Sequence, residues 1–501
     1  MFVPIYIYLL GTESYGLVAF YSVMFGVVSI ANMGMSSTLT RELAKNSVSA
    51  ELRTESRNLL RTLEVLFLGV AICVVLFVYA ASRIIAKDWL NSDSNHLDQF
   101  TRSIQLMGFA MAIRLPVDMY YAGLIGLQRQ VISNTLLSIS STLRHAVTVL
   151  VLVALSSTAE AFFACQVLTN LFELMVVRWL AWSCLPECAS SPKFSLAIIK
   201  RIYPYATGMA GLGLTSILLS QVDKLVVSKM LSMEAFAAYS VAALMARAPL
   251  ILVQPIADAV HPRLTQLVAE KSLQLRDVYL QACIFLSILV YPTGVVVALF
   301  AEVILRTWSR NPELAGAACN AAAILTIGSI FIATQLVPFY LALAHGWTSL
   351  NLVIGLCSLL VIMPLTVILT QSYGLTGASV GWLVLNAGIL IPYVLILHRY
   401  TLPDVNFDWF VRCNFVPLLV SVAIVLIFRN VSSGLSMSSV VSLAWIGTAW
   451  AAATFFVVLC IREARVLLIK LGRPWARRAI KSVARPNSRK AKNTKRSFKN
   501  I

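Results

Sequence analysis

Residues 4–44 decide the fold: Pro4-Ile-Tyr-Ile-Tyr-Leu-Leu-Gly-Thr-Glu-Ser-Tyr-Gly-Leu17, some fifteen mostly apolar residues, Asn32-Met-Gly-Met35, then Thr40-Arg-Glu-Leu-Ala44. An apolar end, a tight polar turn over residues 11–14 and a return span closing on Arg41 make a transmembrane hairpin, and the rest of the chain reads as repetitions of it. Charged residues are 12% of the 501 and apolar residues 59%, against roughly 25% charged in a soluble domain. Apolar runs of about 20 residues match a hydrocarbon core about 30 Å thick. Barrel strands would alternate polar and apolar residues over about ten positions; these runs do not. The chain reads as an all-α polytopic membrane protein.

The spacing predicts about fourteen transmembrane helices. The first is half a span ending at Leu10, and the next five fall near 15–38, 63–81, 103–127, 131–155 and 161–182. After a polar linker come 202–227, 235–260, 279–305, 317–344, 350–370 and 374–397. A second linker, 398–412, precedes 415–428 and 440–461. A first helix only half a span long is either short and broken at Pro4 or continued upstream of Met1. Gly11 and Gly374 stand where tight turns need a residue without Cβ.

Charge orients the spans. Alternate loops carry Arg41, Lys45, Arg53, Arg57, Arg61, Arg129, Lys193, Lys200, Arg201, Arg263, Lys271, Arg276, Arg399 and Arg412, whereas the opposite loops carry about six basic residues. The positive-inside bias places the first set, and both termini, in the cytoplasm. From Arg462 onward there are 14 Lys or Arg and one acid, Glu463, so this tail supplies +13 of the net +18. Beyond Trp475 its one aromatic side chain is Phe498. It reads as a disordered cytoplasmic polycation drawn to anionic lipids, not as a nucleic-acid surface.

Leu10-Gly-Thr-Glu-Ser-Tyr15 matches Leu231-Ser-Met-Glu-Ala-Phe236, Asn134 matches Asn351, and Asn170 matches Asn386, at offsets of 221, 217 and 216. The repeat divides the chain into a six-helix bundle at 1–183, a cytoplasmic linker at 184–200, a second six-helix bundle at 201–398, two additional spans at 399–461 and the basic tail at 462–501. Two halves of equal orientation form a substrate path in many transporters.

Enzymatic chemistry has little to stand on. His96, His145, His261, His345 and His398 are dispersed, Cys184 and Cys188 are the one close loop pair of the nine cysteines, and Asp88, Asp93 and Asp98 read as a solvated turn. No nucleotide loop, metal-spaced ligand set or cofactor motif is present. Charges inside spans are more telling, because each costs a few kcal/mol or more at mid-bilayer unless it meets water or a partner. Arg114, Arg144 and Arg247 each lie about a dozen residues into a span, and Glu173 is equally deep. The three arginines are candidates for a cationic, water-filled cavity that grips pyrophosphate through planar guanidinium forks. Asp118, one turn after Arg114, would pair with it in the alternative reading. Glu173 would carry a coupling proton or sodium ion, or neutralise a neighbouring arginine. Asp223, near the outward end of the seventh span, and Asp258, near the cytoplasmic end of the eighth, complete the coupling or charge-neutralising candidates.

The stretch 4–17, Asn32-Met-Gly-Met35 with Thr40–Ala44, Asp223-Lys224 before Ala238-Tyr239, Pro262-Arg263-Leu264 before Ala269-Glu270, and Tyr373-Gly-Leu-Thr-Gly-Ala378 before Trp382 and Asn386 resemble the O-antigen and lipid-linked-oligosaccharide flippases. Those belong to a superfamily that also holds multidrug and peptidoglycan-precursor exporters. The likeness covers roughly residues 4–400 and rests on loose, glycine-based motifs. It implies two six-helix bundles with alternating access to a polar cavity, and a polyprenyl-pyrophosphate-linked oligosaccharide moved from the cytoplasmic to the outer leaflet of a bacterial inner membrane. A polysaccharide polymerase and glycosyltransferases are the implied protein partners, and no cofactor is implied. A multidrug cation exporter and a membrane scaffold for polysaccharide assembly are the competing readings.

Overall fold

A chain whose apolar residues run in stretches of twenty and more has one economical way to satisfy its backbone in lipid, which is helix. The computed structural model describes residues 2–46, 53–90, 97–186, 191–433, 438–462 and 465, and they contain helices and no strand. Asp93, His96, Cys188, Glu463 and the tail beyond Arg465 lie outside the described residues. In chain order the helices are α1 (Val3–Leu10), α2 (Thr12–Val28), α3 (Ile30–Asn46), α4 (Arg53–Ile84), α5 (Leu97–Gly126), α6 (Gln130–Ala154), α7 (Ala159–Cys184), α8 (Leu196–Met230) and α9 (Met233–Ala246). They continue with α10 (Ala248–Ala269), α11 (Leu275–Leu299), α12 (Ala301–Ser309), α13 (Pro312–Ala344), α14 (Thr348–Thr401), α15 (Asn406–Phe410), α16 (Val416–Ser433) and α17 (Ser439–Cys460). Among the described residues eight helical segments are long and apolar enough to cross a membrane, and α9 with α10 adds a ninth.

α14 holds two of the expected spans. Gly374 (φ 57°, ψ −133°) takes a backbone conformation open to glycine alone. A Cβ on Gly377 would overlap the Leu369 carbonyl oxygen, and one on Gly381 would stand 3.1 Å from the Thr366 hydroxyl. In a straight helix residues 369 and 377 would be about 12 Å apart, so the arms fold back on each other and the expected turn is there. Counted this way the helices are compatible with fourteen spans.

Five expectations need correction. The first turn is Gly11 alone (φ 80°, ψ 164°), with Thr12 to Ser14 already helical in α2. The second span breaks at Ser29, whose hydroxyl donates to the Gly26 carbonyl at 2.7 Å and competes with the helix. The eighth is interrupted at Arg247, between α9 and α10; Pro249, two residues on, has no N–H to continue the ladder. The ninth ends at Leu299, and α12 departs with Glu302 and Arg306 outward and Ala301 and Leu305 buried. The second linker is also largely helical, through the end of α14, α15 and a π turn at Val411–Phe415.

Contacts divide the chain into two compact units. The first comprises Met1–Arg247, Phe300–Ser329 and Trp347–Ile391. Its core packs Leu17, Phe20 and Val23 of α2 with Phe236, Tyr239 and Val241 of α9. Their backbones come close because Gly16 has no side chain: a Cβ there would lie 2.6 Å from the Met233 carbonyl oxygen. α3 closes on α5 in the same way, with Gly126 against Thr40 and the Thr40 hydroxyl donating to the Ala122 carbonyl at 2.9 Å.

The second unit comprises Ala248–Leu299, Ile330–Gly346 and Pro392–Ile501. It is built around α11, a helix apolar on all sides and buried along most of its length, as such a helix must be. The polar groups on α11 are paired across the unit. The Tyr291 hydroxyl donates to Asn414 at 2.7 Å, and Trp450 Nε1 donates to the Thr293 hydroxyl at 2.9 Å. Tyr279 lies 2.7 Å from the ring of buried His398, whose other nitrogen meets Asn406 at 2.8 Å.

Candidate functional site

Three long helices of the first unit, α5, α6 and α7, each place an ionisable side chain near mid-length: Arg114, Arg144 and Glu173. α6 and α7 are antiparallel neighbours joined by a short turn capped by Thr158, whose hydroxyl accepts from Ala161 N. Arg144 and Glu173 sit at similar distances before and after that turn, so they arrive at one depth.

Glu173, 3% exposed, is the hub. One carboxylate oxygen accepts from Arg114 Nη1 at 3.0 Å and from Arg144 Nη2. The other accepts from the Tyr121 hydroxyl at 2.7 Å. Arg114 Nε also meets Asp118 at 3.0 Å on its own helix. Two guanidiniums and two carboxylates form a cluster of formal charge zero. Side-chain exposures of 13% for Arg114, 16% for Arg144 and 29% for Asp118 leave it open on one side. Among the described residues Arg144 Nε is buried without a partner, as is Asn170 Oδ1, although the Asn170 amide donates to the Ala110 carbonyl at 3.1 Å.

α6 adds a feature that charge alone does not disclose. Asn134, Ser138 and Thr142 recur at every fourth residue and are exposed, along a helix otherwise rich in Leu, Ile and Val. Their hydroxyls bond back to their own helix, Ser138 to the Asn134 carbonyl and Thr142 to that of Ser138, each at 2.9 Å. A polar stripe on a spanning helix belongs against water or protein rather than hydrocarbon, and this one ends at Thr142, two positions before Arg144 and so on roughly the other side of α6. The period of four was available in the sequence.

The remaining candidates stand elsewhere. Arg247 is exposed at the α9–α10 break, with no side-chain hydrogen bond or ion pair among the described residues. Asp223 of α8 is buried, accepts from the Tyr239 hydroxyl at 2.8 Å and pairs with Lys224 at 3.1 Å; Lys224 in turn lies 5.8 Å over the Trp382 ring. Asp258, in the second unit, is exposed and accepts from Tyr340 and, at 3.0 Å, from Gln254. Gly11 and Gly374 are turn residues. Among the described residues no three His, Cys, Asp or Glu side chains are grouped as metal ligands.

A family model described as polysaccharide biosynthesis protein matches residues 1–268, and the MatE model matches residues 211–368. The chain is 23% identical over 398 residues to a Shigella flexneri protein named "Putative O-antigen transporter", covering 78% of this chain and 91% of that one. Its fold is similar to that of the lipid II flippase MurJ in an inward closed conformation, with a TM-score of 0.70, 13% identity, and 92% of this chain and 96% of that one covered. It is also similar to an inward-facing multidrug resistance MATE family transporter, with a TM-score of 0.67, 14% identity, and 79% and 92% covered.

Proposed function

Since the chain belongs to the polysaccharide biosynthesis protein family and is a multi-pass membrane protein with a transporter fold, we propose that it is a flippase. Its cargo is a polyprenyl-pyrophosphate-linked oligosaccharide, an O-antigen or other surface-polysaccharide repeat unit. It moves this cargo from the cytoplasmic to the outer leaflet of a bacterial inner membrane by alternating access. The observation that carries the reading is the convergence of Arg114 and Arg144 on Glu173 at mid-helix, in a cluster that keeps one side open.

The chemistry is an exchange of partners. Guanidinium binds carboxylate and phosphate through the same fork of donors, so a pyrophosphate reaching the cluster competes with Glu173 for Arg114 and Arg144. The oligosaccharide stays in water on the open side of the cluster, and the polyprenyl chain stays in lipid. A neutral cluster that takes up pyrophosphate gains negative charge, which a proton or sodium ion at Glu173 or Asp118 offsets. Arg247 supplies a further cation toward the cargo. Asp223 and Asp258 neutralise local charge through Lys224 and through their hydrogen-bonded neighbours.

Repeated element order supports the division into bundles at 1–183 and 201–398. α1 to α4 recur as α8 to α11, α5 as α13, and α6 and α7 as the two arms of α14, with α12 outside the repeat; the break residues Ser29 and Arg247 are 218 positions apart. With both termini cytoplasmic, the basic tail meets anionic headgroups, and a polymerase and glycosyltransferases are the protein partners.

The test is leaflet translocation of a labelled polyprenyl-pyrophosphate oligosaccharide in proteoliposomes. The parent should translocate it, Arg144→Ala should not, and Arg144→Lys should be intermediate, because a point charge replaces a fork. Translocation by Arg144→Ala at the parent rate would remove the cluster from the mechanism. The MatE match at residues 211–368 favours a second reading, a multidrug cation exporter. Movement of cationic dyes, with the oligosaccharide left behind, would establish it.

A further inference from the structure

We propose that the first unit carries a binding site for a resident anionic phospholipid of the cytoplasmic leaflet, in a groove formed by α4, α5 and α7 and capped by Arg57, Arg61 and Arg178. The groove has two compartments. The apolar one, about 540 Å³, is lined by Leu68, Ile72, Leu76, Phe109, Ile113 and Pro116. The basic one, about 510 Å³, is lined by Arg57, Arg61, Arg178, Trp179, Trp182 and Pro192. Arg61, Leu174 and Arg178 line both compartments and make them one amphiphilic hollow.

The basic end is held in place. Glu64 accepts from Arg61 at 2.9 Å, Arg178 at 3.1 Å, Trp182 at 2.6 Å and the Tyr120 hydroxyl. Arg57 lies 5.4 Å over the Trp182 ring and donates to the Pro186 carbonyl at 3.2 Å, while its Nε is buried without a partner among the described residues. The segment that closes this end is tied to α4, with Lys193 N donating to Asn58 at 2.7 Å and Ser195 N to Thr62 at 3.1 Å. Among the described residues three guanidiniums meet one saturated carboxylate, an excess of two positive charges with donors to spare. Arg61 and Arg178 are about half exposed.

Charge and length name the occupant. From Arg61 to Leu76 α4 rises about 22 Å, enough to seat a headgroup and chains spanning one leaflet, whose hydrocarbon is about 15 Å deep. A polyprenyl chain is several times longer than an acyl chain and would overrun the hollow. The arginines lie at the end that the loop charges assign to the cytoplasm, where anionic lipids concentrate, and tryptophans favour that level of the bilayer.

Native mass spectrometry of the purified full chain, titrated with phosphatidylglycerol or phosphatidylcholine, tests this without any transport readout, so its outcome is separate from that of the flippase reading. Phosphatidylglycerol should bind in preference to phosphatidylcholine. Arg61→Gln with Arg178→Gln should weaken it about fivefold for each arginine removed. Ile72→Trp, which fills the hollow and keeps every charge, should also weaken it, and it carries the test if the double variant does not fold. Arg83→Gln at the far end of α4 should leave binding unchanged. Equal binding of the two lipids, retention by the Ile72→Trp and arginine variants, or displacement of phosphatidylglycerol by an equimolar polyprenyl diphosphate would overturn the proposal, the last by making the groove a cargo entrance.

Discussion

Replacing Glu173 by Gln preserves the shape of the hub and removes its charge. Arg114 and Arg144 would then share only Asp118, and a cluster of formal charge zero would become +1 in the middle of three helices. Breaking a buried ion pair by removing one partner costs about 3–5 kcal/mol. Glu173 is buried, but the side chains around it keep 13 to 29% of their surface exposed, and that solvent places the expected loss near the lower bound, about 3 kcal/mol. Thermal unfolding in detergent, followed by tryptophan fluorescence at one fixed scan rate, should fall by about 5 °C. Arg144→Gln added to Glu173→Gln should recover most of the loss, because it removes the stranded charge, giving a coupling of about 1–3 kcal/mol. A single variant as stable as the parent, or a double variant that loses the sum of the two, would refute the account of the cluster as a mutually neutralising set.

Gly374→Ala and Gly377→Ala should both lower the yield of monodisperse protein, for different reasons. Gly374 has open space around it, so a side chain meets only backbone strain of about 1–3 kcal/mol; Gly377→Ala drives a methyl into the Leu369 carbonyl and should be the worse of the two by size-exclusion profile. Asp223→Ala should destabilise by about 1–3 kcal/mol by leaving the buried Tyr239 hydroxyl without its acceptor, and adding Tyr239→Phe should recover stability in the same unfolding assay. Arg247→Ala should leave unfolding within about 0.5 kcal/mol of the parent, as expected for an exposed side chain without an ion pair among the described residues, yet slow translocation in proteoliposomes.

Residue order alone carried the architecture, because its rules are local. Apolar runs of span length force helices in lipid, glycine at Gly11 and Gly374 permits the turns, and charged residues inside the runs mark where water or partners must be found. These rules act on neighbouring residues and depend little on what packs against them, which is why the helices could be read with modest errors at their ends. The breaks at Ser29, Arg247 and Phe300 were not read, because a helix interrupted for one residue keeps the same hydrophobic period on both sides. Which charges meet was settled by packing. Arg144 has no acid within a turn on its own helix, and its partner comes from α7, 29 positions later, when two antiparallel helices bring equal depths together. Arg114, for which Asp118 was the one acid in reach along its own helix, is shared with the same Glu173. Asp223, a candidate as a charge within a span, proved to be held by Tyr239 and Lys224, and the arginines gathered by Glu64 come from helices more than a hundred residues apart. An ionic partner is chosen by distance in space, and a linear pattern records distance along one helix only.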